Sequence, residues 1–441
     1  MPANVIPSNP SATPPSSDLE SSIVSKLTRR LLPFLFLLYI VAYLDRINVG
    51  FAKLQMSGQL HFSEAVYGLA AGMFFAGYFC FQLPSNLILV KIGARRWISV
   101  IMLAWGAVSV SMMLVTTPRS FYMLRFLLGV TEAGFFPGMI LYLRSWFPAA
   151  ARARAFALFM TAGPLSGVFG GVISGAILSF PHKAGLAGWQ WLFLLEGLPA
   201  IVLAIVVFFH LADAPKDAHW LSGQERACLE RMLTGERKPL SSEASEAPWW
   251  VVFLDPSVLL LGLVYFCLNT SSYGISLWLP SVLSQLASRT NFAVGLLSAI
   301  PYLVAAVGMV LVGSHSDRTG ERRWHVAGSA LVAACALVLA AASNSTIPVV
   351  LGLSFAMMGV SSMVGPFWAM PGSLLSGVRA SAGIALINSV GNLGGFAGPS
   401  ILGLARTSSG NFKSGLLILA CGMVLGAVVV LLVRMPDASR T

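Results

Sequence analysis

Charged side chains are scarce in this sequence. They make up 10% of the 441 residues, whereas hydrophobic residues make up 56%, and an average soluble domain carries about 25% charged residues. This composition excludes an ordinary soluble protein and indicates a polytopic membrane protein. The net charge is +11, but the Lys and Arg residues are dispersed among apolar segments and form no basic stripe with interleaved aromatic residues. The sequence therefore does not predict nucleic-acid binding.

Patterns that hold metals, disulfides or nucleotides are missing as well. The five cysteines lie far apart without a C-x-x-C pair, and none of the six histidines forms a ligand pair with them. No G-x-x-x-x-G-K-S loop is present, so ATP is not expected to drive this protein. We therefore predict no metal site and no cofactor, and we do not expect an enzyme.

Twelve apolar stretches, each long enough to cross a bilayer as a helix, predict an all-α fold of two six-helix halves. The first half covers 31–211, a polar linker with a solvated amphipathic helix covers 212–251, and the second half covers 252–435. Residues 1–30, rich in Ser and Pro, are predicted to be a disordered cytoplasmic tail, and 436–441 a second tail. The stretches are 31–54, 65–90, 98–116, 120–143, 154–178, 189–211, 256–286, 292–314, 324–343, 347–371, 380–405 and 413–434.

The distribution of Lys and Arg predicts the orientation, because an excess of these residues stays on the cytoplasmic side. With both termini inside, Arg46 and Arg125 lie within spans, and twenty of the 28 Lys and Arg residues lie inside. Only six remain outside, namely Lys53, Arg119, Lys183, Arg289, Arg406 and Lys413. This bias predicts cytoplasmic termini.

Two patterns recur at nearly the same distance in both halves. The stretch 93–97, GARRW, returns 227 residues later as 320–324, GERRW, and glycines of the fifth span return 228 residues later in the eleventh. Such a repeat indicates a duplicated six-helix unit with a site between its copies. The fifth-span glycines, which are predicted to let a neighbouring helix approach closely, are Gly163, Gly167, Gly171 and Gly175.

Ionisable side chains within spans are costly and mark functional sites. Asp45 and Arg46 lie in the first span, and Arg125 and Glu132 are seven residues apart on one face of the fourth. A guanidinium matches a carboxylate with two parallel hydrogen bonds, so Arg46, and after it Arg125, are predicted to bind an anion. The alternative for Arg125 is a structural ion pair with an acid on a neighbouring helix. Asp45 and Glu132 are predicted to bind protons, and Glu196 is predicted to be a helix-end or gating residue near the outer surface and only a weak candidate for proton coupling.

The loop after the eighth span carries a known type of motif. Its residues 313–323, GSHSDRTGERR, resemble the G-x-x-x-D-R-x-G-R-R motif of the major facilitator superfamily. The first-half copy is degraded, with Val90 and Lys91 in place of its acid and its Arg. The resemblance assigns a conformational role to Gly313, Asp317, Arg318, Gly320 and Arg322.

Within this superfamily the chain resembles the anion:cation symporter family. The likeness rests on stretches 43–56, 82–97, 125–148, 191–200 and 383–399. It implies transport of organic anions such as tartrate, phthalate, hydroxyphenylacetate, galactonate or hexuronates, usually with protons. Likeness to galactonate-type members assigns substrate-lining roles to Tyr43, Arg46, Tyr78, Trp368 and Asn388, and proton-linked roles to Asp45 and Glu132. Other neutral donors in the second half that are suited to reading hydroxyl groups include Asn269, Ser271, Ser272, Tyr273 and Asn392.

These observations predict a secondary transporter of the major facilitator fold in a bacterial inner membrane. It is expected to import a small organic anion with at least one proton by alternating access. A tartrate-like dicarboxylate or a hydroxy acid is the first expectation for the substrate. The alternatives are an aromatic carboxylate, a sodium-coupled organic anion carrier and a non-transporting anion sensor. The predicted partners are the anion, protons and the lipid bilayer, and a single chain is expected to suffice.

Overall fold

The computed structural model describes residues 17–180, 185–235, 253–287, 290–374 and 377–433. Within these ranges the chain forms fifteen α-helices, which confirms the predicted all-α class. The helices are α1 (Ser17–Gln59), α2 (Glu64–Ile92), α3 (Ala94–Ser111), α4 (Pro118–Glu132), α5 (Phe135–Trp146), α6 (Ala149–Met160), α7 (Ala162–Leu178), α8 (Gly188–His210), α9 (Gly223–Gly235), α10 (Pro256–Ala287), α11 (Asn291–Thr319), α12 (Arg323–Ala342), α13 (Thr346–Leu374), α14 (Gly377–Ser409) and α15 (Lys413–Leu432).

Eleven segments of the described chain are long and apolar enough to cross a membrane. Two of these crossings consist of two successive helices, α4 with α5 and α6 with α7. The remaining predicted span, the eleventh at 380–405, corresponds to α14, whose 33 residues give about 50 Å at a rise of 1.5 Å per residue. Its Gly, Ser and Asn residues lower its hydropathy, but it packs along α10 and α2 inside the bundle. The bundle therefore has the predicted twelve crossings.

The two halves repeat the same helix packing. In the first half α1 packs on α7, α2 on α4 and α3 on α8. In the second half α10 packs on α14, α11 on α13 and α12 on α15. The halves meet where α2 contacts α14 and where α7 contacts α11. This arrangement agrees with the internal sequence repeat and leaves a central space between the halves.

The first helix begins earlier than the sequence suggests. Residues 1–30 are predicted to be a disordered tail, but α1 begins at Ser17 and runs without interruption into the first crossing. Ile23 and Leu27, four residues apart and therefore on one face, are fully buried. Burial of this apolar face makes helix formation favourable where the local composition does not predict it. The predicted tail is therefore wrong from Ser17 onward, and residues 1–16 lie outside the described ranges.

The linker contains the predicted helix, α9, which packs on the start of α1. Lys26 Nζ of α1 lies 2.9 Å from Glu225 Oε2 of α9. The donation from Lys26, followed by that of the Ser222 backbone N–H, lowers the pKa of the Glu225 carboxyl. The rest of the predicted linker, from residue 236 to 251, and the predicted tail at 436–441 lie outside the described ranges.

Close helix contacts seal one end of the central space. Because the number of crossings is even, α1 begins and α15 ends on the same face, which we call the terminal face; the opposite one is the distal face. Near the distal face, a Cβ built on Gly171 of α7 would lie 2.7 Å from the carbonyl oxygen of Gly295 on α11. A Cβ on Gly68 of α2 would lie 2.7 Å from the carbonyl oxygen of Pro399 on α14. Glycine allows the helices to approach this closely, as predicted for Gly171.

Candidate functional site

A cavity of about 140 Å³ lies between the two halves. The first half contributes α1, α2, α5, α6 and α7, and the second half contributes α10, α11, α13 and α14. Nine of the lining residues are aromatic, and others carry hydroxyl or amide groups. The lining residues are Tyr39, Tyr43, Arg46, Phe75, Tyr78, Phe136, Met160, Gly163, Pro164, Tyr265, Leu268, Asn269, Ser272, Tyr273, Ser276, Tyr302, Met309, Met357, Ser361, Val364, Trp368, Asn388 and Asn392.

Arg46 of α1 connects three helices at the wall of this cavity. Its Nη2 donates to Glu132 Oε1 on α4, and its Nη1 donates to the hydroxyl of Tyr273 on α10 at 2.9 Å. The guanidinium carbon lies 5.2 Å from the ring centroid of Phe74 and 5.5 Å from that of Tyr78. Arg46 Nε and Glu132 Oε2 are buried without a hydrogen-bond partner. The ion pair therefore keeps one donor and one acceptor unused, which a bound ligand can satisfy.

Five of the six predicted substrate residues line the cavity together. Tyr43 and Arg46 come from α1, Tyr78 from α2, Trp368 from α13 and Asn388 from α14. Within the described lining set, Arg46 is the residue that carries a positive charge. The cavity thus offers one cation surrounded by aromatic and neutral polar groups, which suits an anion with apolar or hydroxylated parts.

Arg125, the sixth predicted substrate residue, does not line the cavity. It is fully buried, and its Nε and Nη2 donate to the backbone carbonyls of Ala70 and Ala71 on α2, both at 3.4 Å. Its guanidinium carbon lies 5.2 Å from the ring centroid of Phe74. No carboxylate pairs with Arg125 within the described residues, so the structural ion pair is not formed either. The reason is its position two helical turns before Glu132 on α4, where α2 covers it.

Asp45 also points away from the cavity, although it is adjacent to Arg46 in sequence. Its Oδ2 accepts from Trp105 Nε1 at 3.0 Å, and its Oδ1 accepts from Ser109 Oγ at 2.8 Å and from Asn48 Nδ2 at 3.4 Å. Successive residues of an α-helix diverge by about 100°. Asp45 therefore faces α3, and Glu132 is the acid that pairs with Arg46.

Glu196 differs from its predicted position near the outer surface. It lies in the third turn of α8, is 5% exposed, and accepts a hydrogen bond from Ser174 Oγ of α7 at 2.7 Å. The helix begins eight residues earlier, at Gly188, which places Glu196 about 12 Å along the helix axis from that end. Its interpretation as a helix-end residue is therefore wrong.

Sequence reasoning missed five polar residues of the cavity, namely Tyr39, Tyr265, Ser276, Tyr302 and Ser361. Ser276 on α10 and Tyr302 on α11 adjoin each other, yet neither hydroxyl has a partner in hydrogen-bond geometry. Asn269 Nδ2, which lies on α10 one turn before Tyr273, is also buried without a partner. Buried donors without partners are available to a ligand. A lone Ser or Tyr within an apolar span gives no signal of such a position, because most of them only join helices.

The predicted conformational motif forms the turn between α11 and α12 at the terminal face. Gly320 has a φ of +69° and follows the last residue of α11. Asp317 Oδ1 lies 2.6 Å from Arg322 Nη1, so the acid pairs within its own turn. Arg318 is exposed, and no atom lies within 4 Å of a Cβ built on Gly313. The corresponding turn of the first half takes its acid from the linker, because the carboxylate of Asp213 accepts from the Arg95 backbone N–H at 2.8 Å.

An ion-pair network at the distal face was also missed. Glu64 of α2 lies between two cations, with Lys53 Nζ of α1 at 2.8 Å and Arg406 Nε of α14 at 3.4 Å. The Lys53 ammonium lies 4.9 Å from the ring centroid of Trp278 on α10. The network therefore joins the two halves where the glycine contacts close the distal end. Only the position of these charges at the ends of predicted spans hinted at it.

The sequence matches the family model described as Major Facilitator Superfamily over residues 35–399 and 290–441. A protein of Agrobacterium vitis named "Putative tartrate transporter" is 47% identical over 95% of this chain and 92% of its own length. A "Quinolone resistance transporter" of Acinetobacter baumannii is 39% identical over 94% of this chain and 96% of its own. "Inner membrane transport protein RhmT" of Escherichia coli is 36% identical over 95% and 97%.

A solved structure with a similar fold is that of a bacterial homologue of the human lysosomal transporter Spinster. The two structures align with a TM-score of 0.74 over 96% of this chain and 100% of the other, at 16% sequence identity. This likeness concerns the arrangement of the helices alone.

Proposed function

This chain belongs to the Major Facilitator Superfamily, and on that premise we propose that it imports a small organic anion together with at least one proton. It is a membrane transporter of organic substrates and not an enzyme. The proposed substrate is a tartrate-like dicarboxylate or hydroxy acid, in line with the name of the 47% identical relative. We place the protein in a bacterial inner membrane with the terminal face in the cytoplasm, because Lys and Arg are concentrated on that face. We further propose that a monomer suffices, because residues from both halves of one chain line the cavity.

The observation that carries the proposal is the position of Arg46. Its guanidinium lies in the cavity wall and contacts a first-half helix through Glu132 and a second-half helix through Tyr273. A carboxylate that binds Arg46 therefore touches the point where both halves meet. Binding there can favour the conformation in which the halves close around the anion, as alternating access requires. The unpartnered polar atoms of Asn269, Ser276 and Tyr302 would receive the hydroxyl groups or the second carboxylate.

Proton coupling follows from competition for the same guanidinium. When the substrate carboxylate takes Arg46, the buried Glu132 carboxylate loses its cation, and burial then favours its protonated form. Because binding linkage is reciprocal, a proton on Glu132 also favours binding of the anion. We propose Glu132 for this role and Asp45 as a second proton-linked acid.

The test is transport by the purified protein in proteoliposomes. We expect a pH gradient to drive accumulation of L-tartrate, and we expect Glu132→Gln to lower this accumulation while counterflow exchange continues. Uptake that ignores the pH gradient but requires sodium would favour a sodium-coupled carrier instead. Loss of accumulation and counterflow together in a variant that still folds would mean that Glu132 is only structural.

A second candidate substrate is an aromatic carboxylate. Nine aromatic residues line the cavity, and among them Phe75 and Tyr273 have ring centroids 4.3 Å apart while Tyr265 and Trp368 are 5.0 Å apart. An aromatic ring could stack on these groups while its carboxylate binds Arg46. Phthalate and 4-hydroxyphenylacetate in the same counterflow assay distinguish the two candidates, since only a true substrate exchanges for internal labelled substrate.

A further inference from the structure

The first half buries a pair of acids that the substrate cavity does not include. Asp45 of α1 is 0% exposed and Glu196 of α8 is 5% exposed, and neither lines the cavity. Asn48, one turn after Asp45, connects them. Its Nδ2 lies 3.4 Å from Asp45 Oδ1, and its side chain also adjoins Glu196. The two carboxyl groups thus share one amide in a part of the molecule that the mechanism above leaves largely unused.

The hydrogen bonds distinguish the two acids. Asp45 accepts from the indole of Trp105, the hydroxyl of Ser109 and the amide of Asn48. A carboxyl group surrounded by three donors is favoured in its ionised form. On the other side of the amide, Glu196 Oε2 and Asn48 Oδ1 are two acceptors that are buried without a partner.

A proton on Glu196 Oε2 turns one of these two acceptors into a donor. Ser174 Oγ already donates to Glu196 Oε1, so Oε2 is the oxygen that is free to carry a hydrogen. A protonated carboxyl group can donate a hydrogen bond, and an adjoining amide oxygen can accept it. The hydrogen-bond pattern therefore fits a neutral Glu196 beside an ionised Asp45.

The surrounding charges lead to the same assignment. The packed helices present Arg46 and Glu132, which pair with each other, and Arg125, which acts on Asp45 only at longer range. Within the described residues no Lys or Arg forms an ion pair with Asp45 or Glu196. Two buried carboxylates that repel each other without a cation cannot both remain ionised, so the pair holds at least one proton.

We propose that Glu196 carries a further symported proton, beside the one that Glu132 takes up with the substrate, and that the Asp45 carboxylate, linked to Glu196 through Asn48, is the fixed anion that holds this further proton in place. The inference rests on the proposed proton symport and assigns the further proton to an atom, Glu196 Oε2. The proton binds there from one side of the membrane and leaves to the other, and no covalent bond other than O–H changes. Glu132 then takes up its proton when the substrate binds Arg46, and Glu196 carries the further proton.

The experiment compares Glu196→Gln, Glu196→Asp and Asp45→Asn with the wild type in proteoliposomes, using labelled L-tartrate. A pH gradient of one unit can drive about tenfold accumulation for each symported proton when no membrane potential opposes transport. We expect Glu196→Gln to lower accumulation by about tenfold relative to the wild type, with counterflow rates within about twofold of the wild type. Glu196→Asp should restore accumulation. Asp45→Asn should retain it only at a more acidic external pH, because the anion that holds the proton is gone.

The outcomes separate this inference from the proposed function. If the wild type shows no proton-driven accumulation, the proposed symport itself fails. If the wild type accumulates substrate and Glu196→Gln does so equally, symport stands and the assignment of the proton to Glu196 is overturned. If Glu196→Gln loses counterflow as well while its thermal unfolding matches the wild type, Glu196 serves substrate passage and the assignment is again overturned.

Discussion

Replacing Arg46 by Lys keeps the positive charge of the cavity wall but removes the planar fork of the guanidinium. The two contacts of Arg46 use different nitrogens, because Nη2 donates to Glu132 and Nη1 donates to Tyr273. A single ammonium nitrogen cannot reproduce this geometry and also offer two parallel donors to a carboxylate. We therefore expect a folded protein that binds its anion weakly.

The size of the effect follows from the hydrogen bonds that are lost. A hydrogen bond that involves a charged group contributes about 1.5–3 kcal/mol, and the Lys variant is expected to lose one such bond to the substrate carboxylate. Because each 1.4 kcal/mol corresponds to a factor of about ten, the apparent affinity should fall by about 10- to 100-fold. The Glu132 carboxylate keeps a cation nearby, so the stability of the bundle should change much less than after Arg46→Ala.

The assay is counterflow in proteoliposomes over a range of L-tartrate concentrations, with thermal unfolding in detergent as the folding control. Arg125→Lys is the matched control, because Arg125 is equally buried but lies behind Phe74 and outside the cavity. Its half-saturation concentration should remain within about threefold of the wild type. The reasoning is refuted if Arg46→Lys leaves this concentration unchanged, or if both variants raise it equally.

Two further predictions concern other parts of the molecule. Gly171→Ala should slow counterflow exchange of substrate by at least about tenfold, because the added Cβ would lie 2.7 Å from the backbone oxygen of Gly295 and hold the distal face open. Gly58→Ala is the control, since no atom lies within 4 Å of a Cβ at that position. Equal exchange rates in the two variants would contradict the prediction. Amide hydrogens of α9 should be protected from exchange equally from pH 8 to about 5, and less below about pH 4. The reason is that Lys26 lowers the pKa of Glu225 in the folded protein. The ion pair therefore stabilises the fold fully above the pKa that Glu225 has in the unfolded chain, and this stabilisation is lost as pH falls through the pKa of the folded state. The pair is partly exposed, so the change should stay below about fivefold, and protection that rises on acidification would contradict the assignment.

The sequence alone predicted the parts of the fold that depend on local composition. A span must satisfy its backbone hydrogen bonds within itself and cover about 30 Å of hydrocarbon with apolar side chains, so its presence is visible in a single stretch of sequence. Even α14, which is poorer in apolar residues, follows from its place in the repeat. The start of α1 at Ser17 could not be predicted in this way, because Ile23 and Leu27 are buried by contacts within the folded bundle.

The sequence predicted most of the residues that line the candidate site, but not which groups pair with its charged side chains. Arg46, Tyr78 and Trp368 do line one cavity, since the resemblance to related transporters already contains that information. The residues Asp45 and Arg125 lie elsewhere, because the direction of a side chain depends on the helix that packs against it.

What only the tertiary structure decided is which charges meet. Asp45 and Arg46 are neighbours in sequence, but the turn of the helix directs Asp45 toward α3 and Arg46 toward the cavity between the two halves. Glu132, 86 residues away in sequence, becomes the counter-ion of Arg46, and Asp45 instead lies beside Glu196 through Asn48. The sequence determined that buried charges exist in this protein. Their partners were fixed by the packing of separate helices, because low-dielectric surroundings force each buried charge to find a distant group that neutralises or solvates it.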